Sequence, residues 1–123
     1  MFELKIEDHL AAAHNLREYE GECEALHGHN WKIEVVVRAR ELNSIGLAID
    51  FRDIKSATTA VLDGLDHRYL NEVPPFDKVN PSSENIAKYI YEEVGRRLSG
   101  TGAKIHKVTA WESEKACASY FEE

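Results

Sequence analysis

The sequence predicts an α+β fold in which an antiparallel sheet carries two helices on one face. Three observations support it. Apolar and polar residues alternate near both ends of the chain, two central segments repeat apolar residues at helical spacing, and turn-forming residues separate these segments. In chain order the segments give ββααββ. Because 123 residues are enough for one core but few for two, we expect a single domain over residues 1–123.

Two strands are predicted in the first third of the chain. Alternation that starts at Phe2 indicates a first strand over residues 2–16. An acidic loop over residues 17–26 separates it from a second strand over residues 27–42, which is expected to pair back on the first. Turn-forming residues at 43–46 end the second strand.

Two helices and a final pair of strands are predicted in the remainder. Asp50 is the expected N-cap of the first helix, which should end near Gly64. The second helix is expected to open at Pro81 and to end before Gly100. Alternation returns over residues 105–121 and predicts a β-hairpin.

Composition and charge exclude several classes of protein. The formal net charge is -7 and no run of Lys or Arg occurs, so nucleic acid is not an expected partner. No window approaches the roughly 20 apolar residues of a membrane span, and no secretory signal pattern is found, so we expect a cytoplasmic protein without a membrane partner. Two cysteines, Cys23 and Cys117, do not form a disulfide framework, which leaves Cys23 free for chemistry.

The run His27-Gly28-His29 carries the strongest chemical signal. Both histidines are in phase with the apolar residues of the second strand, up to Val37, so their rings should point towards the core. Metal binding would remove the cost of burying unpaired polar rings there. Strand pairing would bring His14 close, and three neutral imidazoles with an open fourth position are typical of a catalytic zinc site. The alternative is that they are ordinary polar residues at a strand entrance.

Six motifs then follow one another along the chain. They are Ala12-Ala13-His14, Cys23-x-x-Leu26-His27-Gly28-His29-Asn30, Ile49-Asp50-Phe51, Leu65-Asp66-His67-x-x-Leu70-Asn71, Asn80-Pro81-Ser82-Ser83-Glu84-Asn85 and Trp111-Glu112. This ordered set resembles the 6-pyruvoyl tetrahydropterin synthase and 6-carboxytetrahydropterin synthase family. The resemblance covers essentially the whole chain, and the set is far more specific than any one motif.

The resemblance implies a fold, an assembly and a substrate. The fold is the tunnelling fold (T-fold), in which trimers of the ββααββ unit close a twelve-stranded barrel and two trimers stack into a homohexamer. The sites lie at subunit interfaces, use a Zn²⁺ cofactor and act on 7,8-dihydroneopterin triphosphate. An antiparallel sheet with open edges independently favours pairing with further subunits.

The resemblance also implies roles for the first motifs. His14, His27 and His29 would be the zinc ligands, and Cys23 would be the general base, since a nearby cation lowers the pKa of a thiol. On local sequence alone Cys23 would be a small residue in a surface loop. Glu24 departs from the pattern of the family. Its negative charge would raise the pKa of the neighbouring Cys23 thiol unless the Glu24 side chain faces solvent.

The later motifs imply the remaining site residues. Asp66 and His67 would form a proton-transfer pair, and Glu112 would anchor the pterin ring, whose adjacent N–H groups suit a bidentate carboxylate. Ser82 and Ser83 are expected to bind substrate. On local sequence alone His67 could be a helix-end histidine, Glu112 an exposed edge residue, and both serines helix caps.

Three functions compete. One reaction of the family yields 6-carboxy-5,6,7,8-tetrahydropterin, acetaldehyde and triphosphate, on the route to queuosine. The other eliminates triphosphate and leaves a pyruvoyl group, and a non-catalytic zinc-containing pterin-binding module is the third alternative. The short chain and the compact Cys-x-x-Leu-His-Gly-His spacing favour the carboxy-forming lyase.

Overall fold

The computed structural model describes residues 1–123 as one sheet layer and one helix layer. The strands are β1 (Phe2–His14), β2 (His27–Ala39), β3 (Lys104–Ser113) and β4 (Ala116–Tyr120), and the helices are α1 (Phe51–Leu62) and α2 (Ser83–Arg97), with a 3-10 turn at Leu70–Glu72 between them. All neighbouring strands are antiparallel, in the order β1-β2-β3-β4. The predicted ββααββ order and α+β class are confirmed.

The alternation in β1 and β2 sends one set of side chains towards the helices. In the register of the pair, Ile6 opposes Val35 and Leu10 opposes Trp31. These side chains are at most 4% exposed and pack with buried residues of both helices, such as Ile54 of α1 and the α2 residues Ile86, Ile90 and Val94. Each such aliphatic side chain contributes about 1.5–3 kcal/mol by leaving water.

Both helices begin as their capping residues predict. The Asp50 carboxylate accepts a hydrogen bond from the Arg52 N–H at 2.8 Å, and the Ser82 hydroxyl accepts one from the Asn85 N–H at 3.1 Å. The second helix therefore starts after Ser82, two residues later than the prediction at Pro81. No helix combines the length and the apolar character needed to cross a membrane.

Two strand ends differ from the prediction. β1 ends at His14 rather than residue 16, because the next backbone N–H groups bond to side chains outside the sheet. β2 ends at Ala39 rather than residue 42, because Ala39 already opposes Phe2, where β1 begins. The end of the sheet that carries His14 lies against the start of α2, and this junction holds the candidate site.

Candidate metal centre and substrate cavities

Three histidines meet where β1 ends and β2 begins. His14 and His27 are direct partners in the strand register, and His29 lies two residues further along β2. One ligand atom from each ring lies within 4.8 Å of the others. The antiparallel register thus produces the cluster that the phase of His27 and His29 predicted.

The rings of His14 and His27 both use Nδ1 for a hydrogen bond to a backbone carbonyl. Nδ1 of His14 lies 2.7 Å from the Pro81 carbonyl oxygen, and Nδ1 of His27 lies 2.8 Å from the Ala25 carbonyl oxygen. A carbonyl only accepts, so Nδ1 is the donor in both contacts, and the neutral ring then has its lone pair on Nε2. This pattern, one nitrogen on a carbonyl and the other free, is typical of metal-ligating histidines.

The free nitrogen of His14 is the clearest sign of a missing partner. The residue is 2% exposed, and its Nε2 is buried without any hydrogen bond. Leaving such a group unpaired costs about 1–3 kcal/mol. A cation that accepts nitrogen ligands would satisfy it, so the donor set and its protonation fit zinc or a similar divalent metal.

The third ring is held neutral by its surroundings. Burial lowers the pKa of His29, and the Glu112 carboxylate acts in the opposite direction. The neutral form is the one that binds metal. Trp31 is fully buried, and its ring centroid lies 4.9 Å from that of His14 and 5.2 Å from that of His29. The Trp31 indole therefore packs against the side of the histidine cluster that faces the core.

A cavity of about 370 Å³ opens beside His14 and is named here the inner cavity. Its size falls in the range of small-molecule sites. Three carboxylates line it and come from the loop before β2, the first turn of α2 and the end of β3. The lining residues are His14, Leu16, Tyr19, Glu24, Ser82, Ser83, Glu84, Glu112, Ala116, Cys117 and Ala118.

The Glu112 carboxylate lies directly against the cluster. Its Oε1 is 3.4 Å from Nε2 of His29 and 3.7 Å from Nε2 of His14. The carboxylate is therefore on the helix-bearing side of the sheet, in agreement with its phase relative to the buried Val108 and Ala110. A group at this position can contact a ligand that occupies the inner cavity.

Ser82 and Ser83 both line the inner cavity, and both hydroxyls already accept a hydrogen bond. Ser82 caps α2, and the Ser83 Oγ accepts from Nε1 of Trp31 at 3.2 Å. Each hydroxyl still has a proton to donate. The serines are thus helix-end residues whose remaining donors are available to a ligand in the cavity.

The structure separates the neighbours Cys23 and Glu24. Cys23 is exposed and does not line the inner cavity, whereas Glu24 does. The Glu24 Oε1 accepts a hydrogen bond from the Leu16 N–H at 3.2 Å and lies 3.9 Å from Nδ1 of His27. With a side chain that is 30% exposed, Glu24 does not simply face solvent.

Two of the three carboxylates that line the cavity, Glu24 and Glu84, are not predicted from the sequence as cavity residues. In the sequence Glu24 is only a charge beside Cys23, and Glu84 is only part of a motif. An acidic residue in the first turn of a helix is ordinarily explained by the helix dipole, as Glu84 would be. The run Ser82-Ser83-Glu84 gave no signal that the glutamate faces a cavity, since that depends on where α2 packs.

Asp66 and His67 form the predicted pair. Their side chains meet at 2.8 Å between Asp66 Oδ2 and His67 Nδ1, and Asp66 Oδ1 accepts from the Ala11 N–H at 2.9 Å. The Ala11 hydrogen bond is the main cause that lowers the pKa of Asp66, with His67 acting in the same direction. The carboxylate is thereby fixed to the edge of β1 and stays charged at neutral pH.

This pair faces a different cavity. His67 has a side chain that is 81% exposed and a left-handed backbone with φ of 59°, which costs a non-glycine residue roughly 1 kcal/mol. It lines a space of about 470 Å³, named here the outer cavity, together with His29, Arg68 and Tyr69. The two cavities share no lining residue. The structure therefore forms the pair without bringing it to the inner cavity.

The sequence of the chain is similar to those of known proteins. Residues 3–123 match the family model described as 6-pyruvoyl tetrahydropterin synthase. The chain is 37% identical over 94 residues to the dihydroneopterin monophosphate aldolase of Pyrococcus furiosus, covering 76% of each protein. It is 34% identical over 116 residues to the 6-carboxy-5,6,7,8-tetrahydropterin synthase of a Synechocystis species, covering 89% of this chain and 85% of that one.

Solved structures show the same fold. The 6-pyruvoyl tetrahydropterin synthase of Caenorhabditis elegans superposes with a TM-score of 0.86 at 26% identity, covering 99% of this chain and 96% of that one. The Plasmodium vivax enzyme of the same name gives 0.78 at 22% identity, with 99% and 98% covered, and supports the fold alone. The T-fold topology expected from the sequence is confirmed for the single chain.

Proposed function

The chain is a lyase-type enzyme of the 6-pyruvoyl tetrahydropterin synthase family, and we propose that it is a zinc-dependent 6-carboxy-5,6,7,8-tetrahydropterin synthase. The proposed substrate is 7,8-dihydroneopterin triphosphate, and the products are the carboxylated tetrahydropterin, acetaldehyde and triphosphate, for queuosine synthesis. The observation that carries the proposal is the buried, unpartnered Nε2 of His14 at the wall of a cavity that also presents three carboxylates.

The metal would be held by Nε2 of His14, His27 and His29. When bound, zinc supplies a Lewis acid that polarises the neighbouring hydroxyls of the substrate side chain. The carbonyls on Nδ1 of His14 and His27 keep both rings in the ligating tautomer before the ion arrives. The burial that lowers the pKa of His29 also favours the ligating form.

Glu112 is proposed to anchor the pterin ring. The ring edge offers two adjacent N–H donors, which a carboxylate can accept in a bidentate pair. The short distances from Glu112 to the histidine nitrogens would bring the ring close to the metal ligands. Ser82 and Ser83 are proposed to donate their remaining hydroxyl protons to ring acceptors, and Glu84 offers a further carboxylate.

Cys23 is proposed to accept the proton that leaves the substrate side chain. Its exposed position means that the loop before β2 must bring the thiol towards the inner cavity when substrate binds. Glu24 already lines that cavity and is the second candidate acceptor. Asp66 and His67 are proposed as the proton-donating pair, in which the carboxylate orients the imidazole.

The Asp66–His67 pair is proposed to serve the inner cavity of a neighbouring subunit. Both end strands of the sheet, β1 and β4, have an open edge, although the 66–69 segment covers β1 near Ala11 and Ala13. Edge pairing between copies would close the sheets into a barrel, and a homohexamer made of two trimers is the proposed assembly.

A specific observation supports a second candidate function. The relative from Pyrococcus furiosus is named an aldolase that acts on dihydroneopterin monophosphate, and it shares 37% identity over 94 residues. Aldol cleavage needs a base that removes a hydroxyl proton, and the Glu24 carboxylate is positioned in the cavity for such a role. Under this alternative the chain would split the side chain of a dihydroneopterin phosphate without forming a carboxyl group.

Product analysis tests the proposal. The zinc-loaded protein is incubated with 7,8-dihydroneopterin triphosphate, the pterin is identified by mass, and acetaldehyde is assayed. Carboxytetrahydropterin with matching acetaldehyde would support the proposal. A pyruvoyl pterin without acetaldehyde would assign the pyruvoyl-forming reaction, a shortened pterin with a phosphorylated aldehyde would assign the aldolase, and zinc binding without turnover would indicate a pterin-binding module.

A further inference from the structure

We propose that Asn80 is a positioning residue for the metal centre, because its side chain holds the Pro81 carbonyl that orients His14. The inference rests on the proposed role of His14 as a metal ligand. Asn80 and Pro81 do not line the inner cavity. They lie in the loop before α2, and through them this loop fixes the ring of His14 at the end of β1.

The first step is the contact between His14 and Pro81. The ring is buried, and its Nδ1 donates to the Pro81 carbonyl oxygen at 2.7 Å as its only hydrogen bond. If this carbonyl moved away, the Nδ1 proton would lose its partner, and the ring could adopt the other tautomer or rotate. The ligating state of His14 therefore depends on where a single backbone carbonyl lies.

The second step is the attachment of residue 80 to the exit of β1. The Asn80 Oδ1 accepts from the Arg17 N–H at 2.8 Å, and its Nδ2 donates to the Arg17 carbonyl at 3.0 Å. Arg17 follows His14 by three residues. The Asn80 amide thus binds both polar groups of one residue in the segment that carries the ligand, which fixes the distance between the two segments.

The third step is the attachment of the same residue to α2. The Asn80 carbonyl accepts from Nδ2 of Asn85 at 2.8 Å, and Ser82 caps the helix through the Asn85 N–H. Pro81 lies between these anchors, and its ring restricts φ. The Pro81 peptide is consequently held on both sides, with little freedom to swing its carbonyl away from His14.

The guanidinium of Arg17 fixes this arrangement to the rest of the loop. It donates to the carbonyls of Asn71 at 3.0 Å and Phe76 at 2.7 Å, and Phe76 is fully buried. We name the hydrogen-bonded pair Asn80 and Arg17 the clamp. These contacts attach the clamp to a buried residue of the core. Loss of the group that accepts a hydrogen bond from a ligating histidine typically costs about 10–100-fold in metal affinity, and Asn80 acts one contact further away, by positioning that group.

The test compares Asn80→Ala with Asn43→Ala. Asn43 is a matched control, because its side chain also makes two hydrogen bonds to the backbone. Its Oδ1 accepts from the N–H groups of Ile45 and Leu47 at 3.0 Å each, in the turn that follows the far end of β2. Zinc affinity is measured by competition with a chromogenic chelator, and stability of the metal-free proteins by thermal unfolding. We expect Asn80→Ala to weaken zinc binding by about tenfold, the lower end of the range for a direct partner, and Asn43→Ala to leave it within about twofold.

A second readout needs neither metal nor turnover. Nitrogen-15 NMR of the metal-free protein at pH 8 reports the tautomer of His14, which should be the Nδ1–H form in the wild type and in Asn43→Ala. In Asn80→Ala the shifts of Nδ1 and Nε2 should move towards each other, because exchange between the two tautomers averages them. This result tests the clamp even if the proposed reaction is wrong, because no catalytic step enters it.

A milder variant keeps the proposal testable if Asn80→Ala does not fold. Asn85→Ala removes only the bond to the Asn80 carbonyl and should weaken zinc binding by less than Asn80→Ala, in the same direction. Wild-type zinc affinity together with an unchanged His14 tautomer in the folded Asn80 and Asn85 variants would overturn the proposal. An equal loss of zinc affinity in Asn43→Ala would also overturn the proposal, because the loss would then result from lower stability of the folded protein and not from the position of the Pro81 carbonyl.

Discussion

The inner and outer cavities are each lined by a different histidine of the cluster, and they contain different chemistry. His14 lines the inner cavity with three carboxylates, while His29 lines the outer cavity with His67 and Arg68. The inner cavity therefore combines one histidine with carboxylates that can accept hydrogen bonds from a ligand. The outer cavity presents groups that donate protons or carry positive charge.

The chain forms two separate groups of candidate site residues. The donor set for the metal is complete within the chain, because the antiparallel register of β1 and β2 brings its three rings together. The Asp66–His67 pair is also complete, but its imidazole points to solvent. Each group is built by local structure, and under the proposed assembly a second copy of the chain would bring the Asp66–His67 pair to the inner cavity.

The largest expected effect comes from the proposed proton acceptor, Cys23. Cys23→Ala should leave zinc bound and lower kcat by about 100-fold or more, the usual contribution of a general base. Glu24→Gln keeps an oxygen for the Leu16 N–H and should lower kcat by less. Metal content and single-turnover rates of the two variants provide the measurement.

The ranking of these two variants is decisive for the role of Cys23. If Glu24→Gln loses turnover while Cys23→Ala retains it, the carboxylate already in the cavity is the base and the loop need not move. That result would also favour the aldolase candidate. Equal zinc content in both variants serves as the control for an intact metal centre.

Loss of the proposed pterin anchor should have the next largest effect. Glu112→Gln removes the charge of the carboxylate that is proposed to accept two N–H bonds from the ring. A hydrogen bond to a charged group contributes about 1.5–3 kcal/mol, so kcat/KM should fall by roughly 10- to 100-fold. Glu114→Gln is the matched control, since Glu114 is exposed two residues further along and does not line the inner cavity. Steady-state kinetics of both variants that gave equal losses would contradict the anchoring role.

A small, pH-dependent effect is expected from the outer cavity. The pKa of Asp66 lies below its usual value of 3.8, so the charged carboxylate stabilises the fold above that pH, and the contribution is lost as the pH falls through the lowered pKa. Asp66→Asn keeps the acceptor for the Ala11 N–H and should lower stability by about 0.5 kcal/mol at pH 7, the scale of an exposed pair.

Urea unfolding of the wild type and Asp66→Asn between pH 7 and pH 2.5 checks this sign. The difference in the free energy of unfolding should be constant near neutrality and should shrink in acid. A difference that grew as the pH fell would show that the Asp66 carboxylate is not stabilised by its contacts in the folded chain.

Much of the fold and part of the site could be predicted from the sequence. The phase of His27 and His29 relative to the apolar residues fixed their face, and pairing of two adjacent strands was enough to bring His14 to them. Asp50 and Ser82 could be recognised as caps because capping is a local interaction. These features depend on neighbours in sequence or on one strand register.

The remainder depends on packing that leaves no local signal. Glu84 faces the inner cavity because α2 lies against the end of β1, and Glu24 because the loop before β2 bonds back to Leu16. The orientation of His67 results from a left-handed backbone residue and from hydrogen bonds of the 66–69 segment to the edge of β1. No spacing or composition indicates such contacts.

Subunit complementation tests most directly whether the two cavities are halves of one site. His67→Ala has an intact inner cavity and Glu112→Gln an intact Asp66–His67 pair, so each alone should be nearly inactive. When the two are co-refolded in equal amounts, one in four neighbouring pairs combines the intact halves, and about a quarter of wild-type activity should return. Activity that stays at the level of the single variants, with mixed oligomers present, would contradict a site shared between subunits.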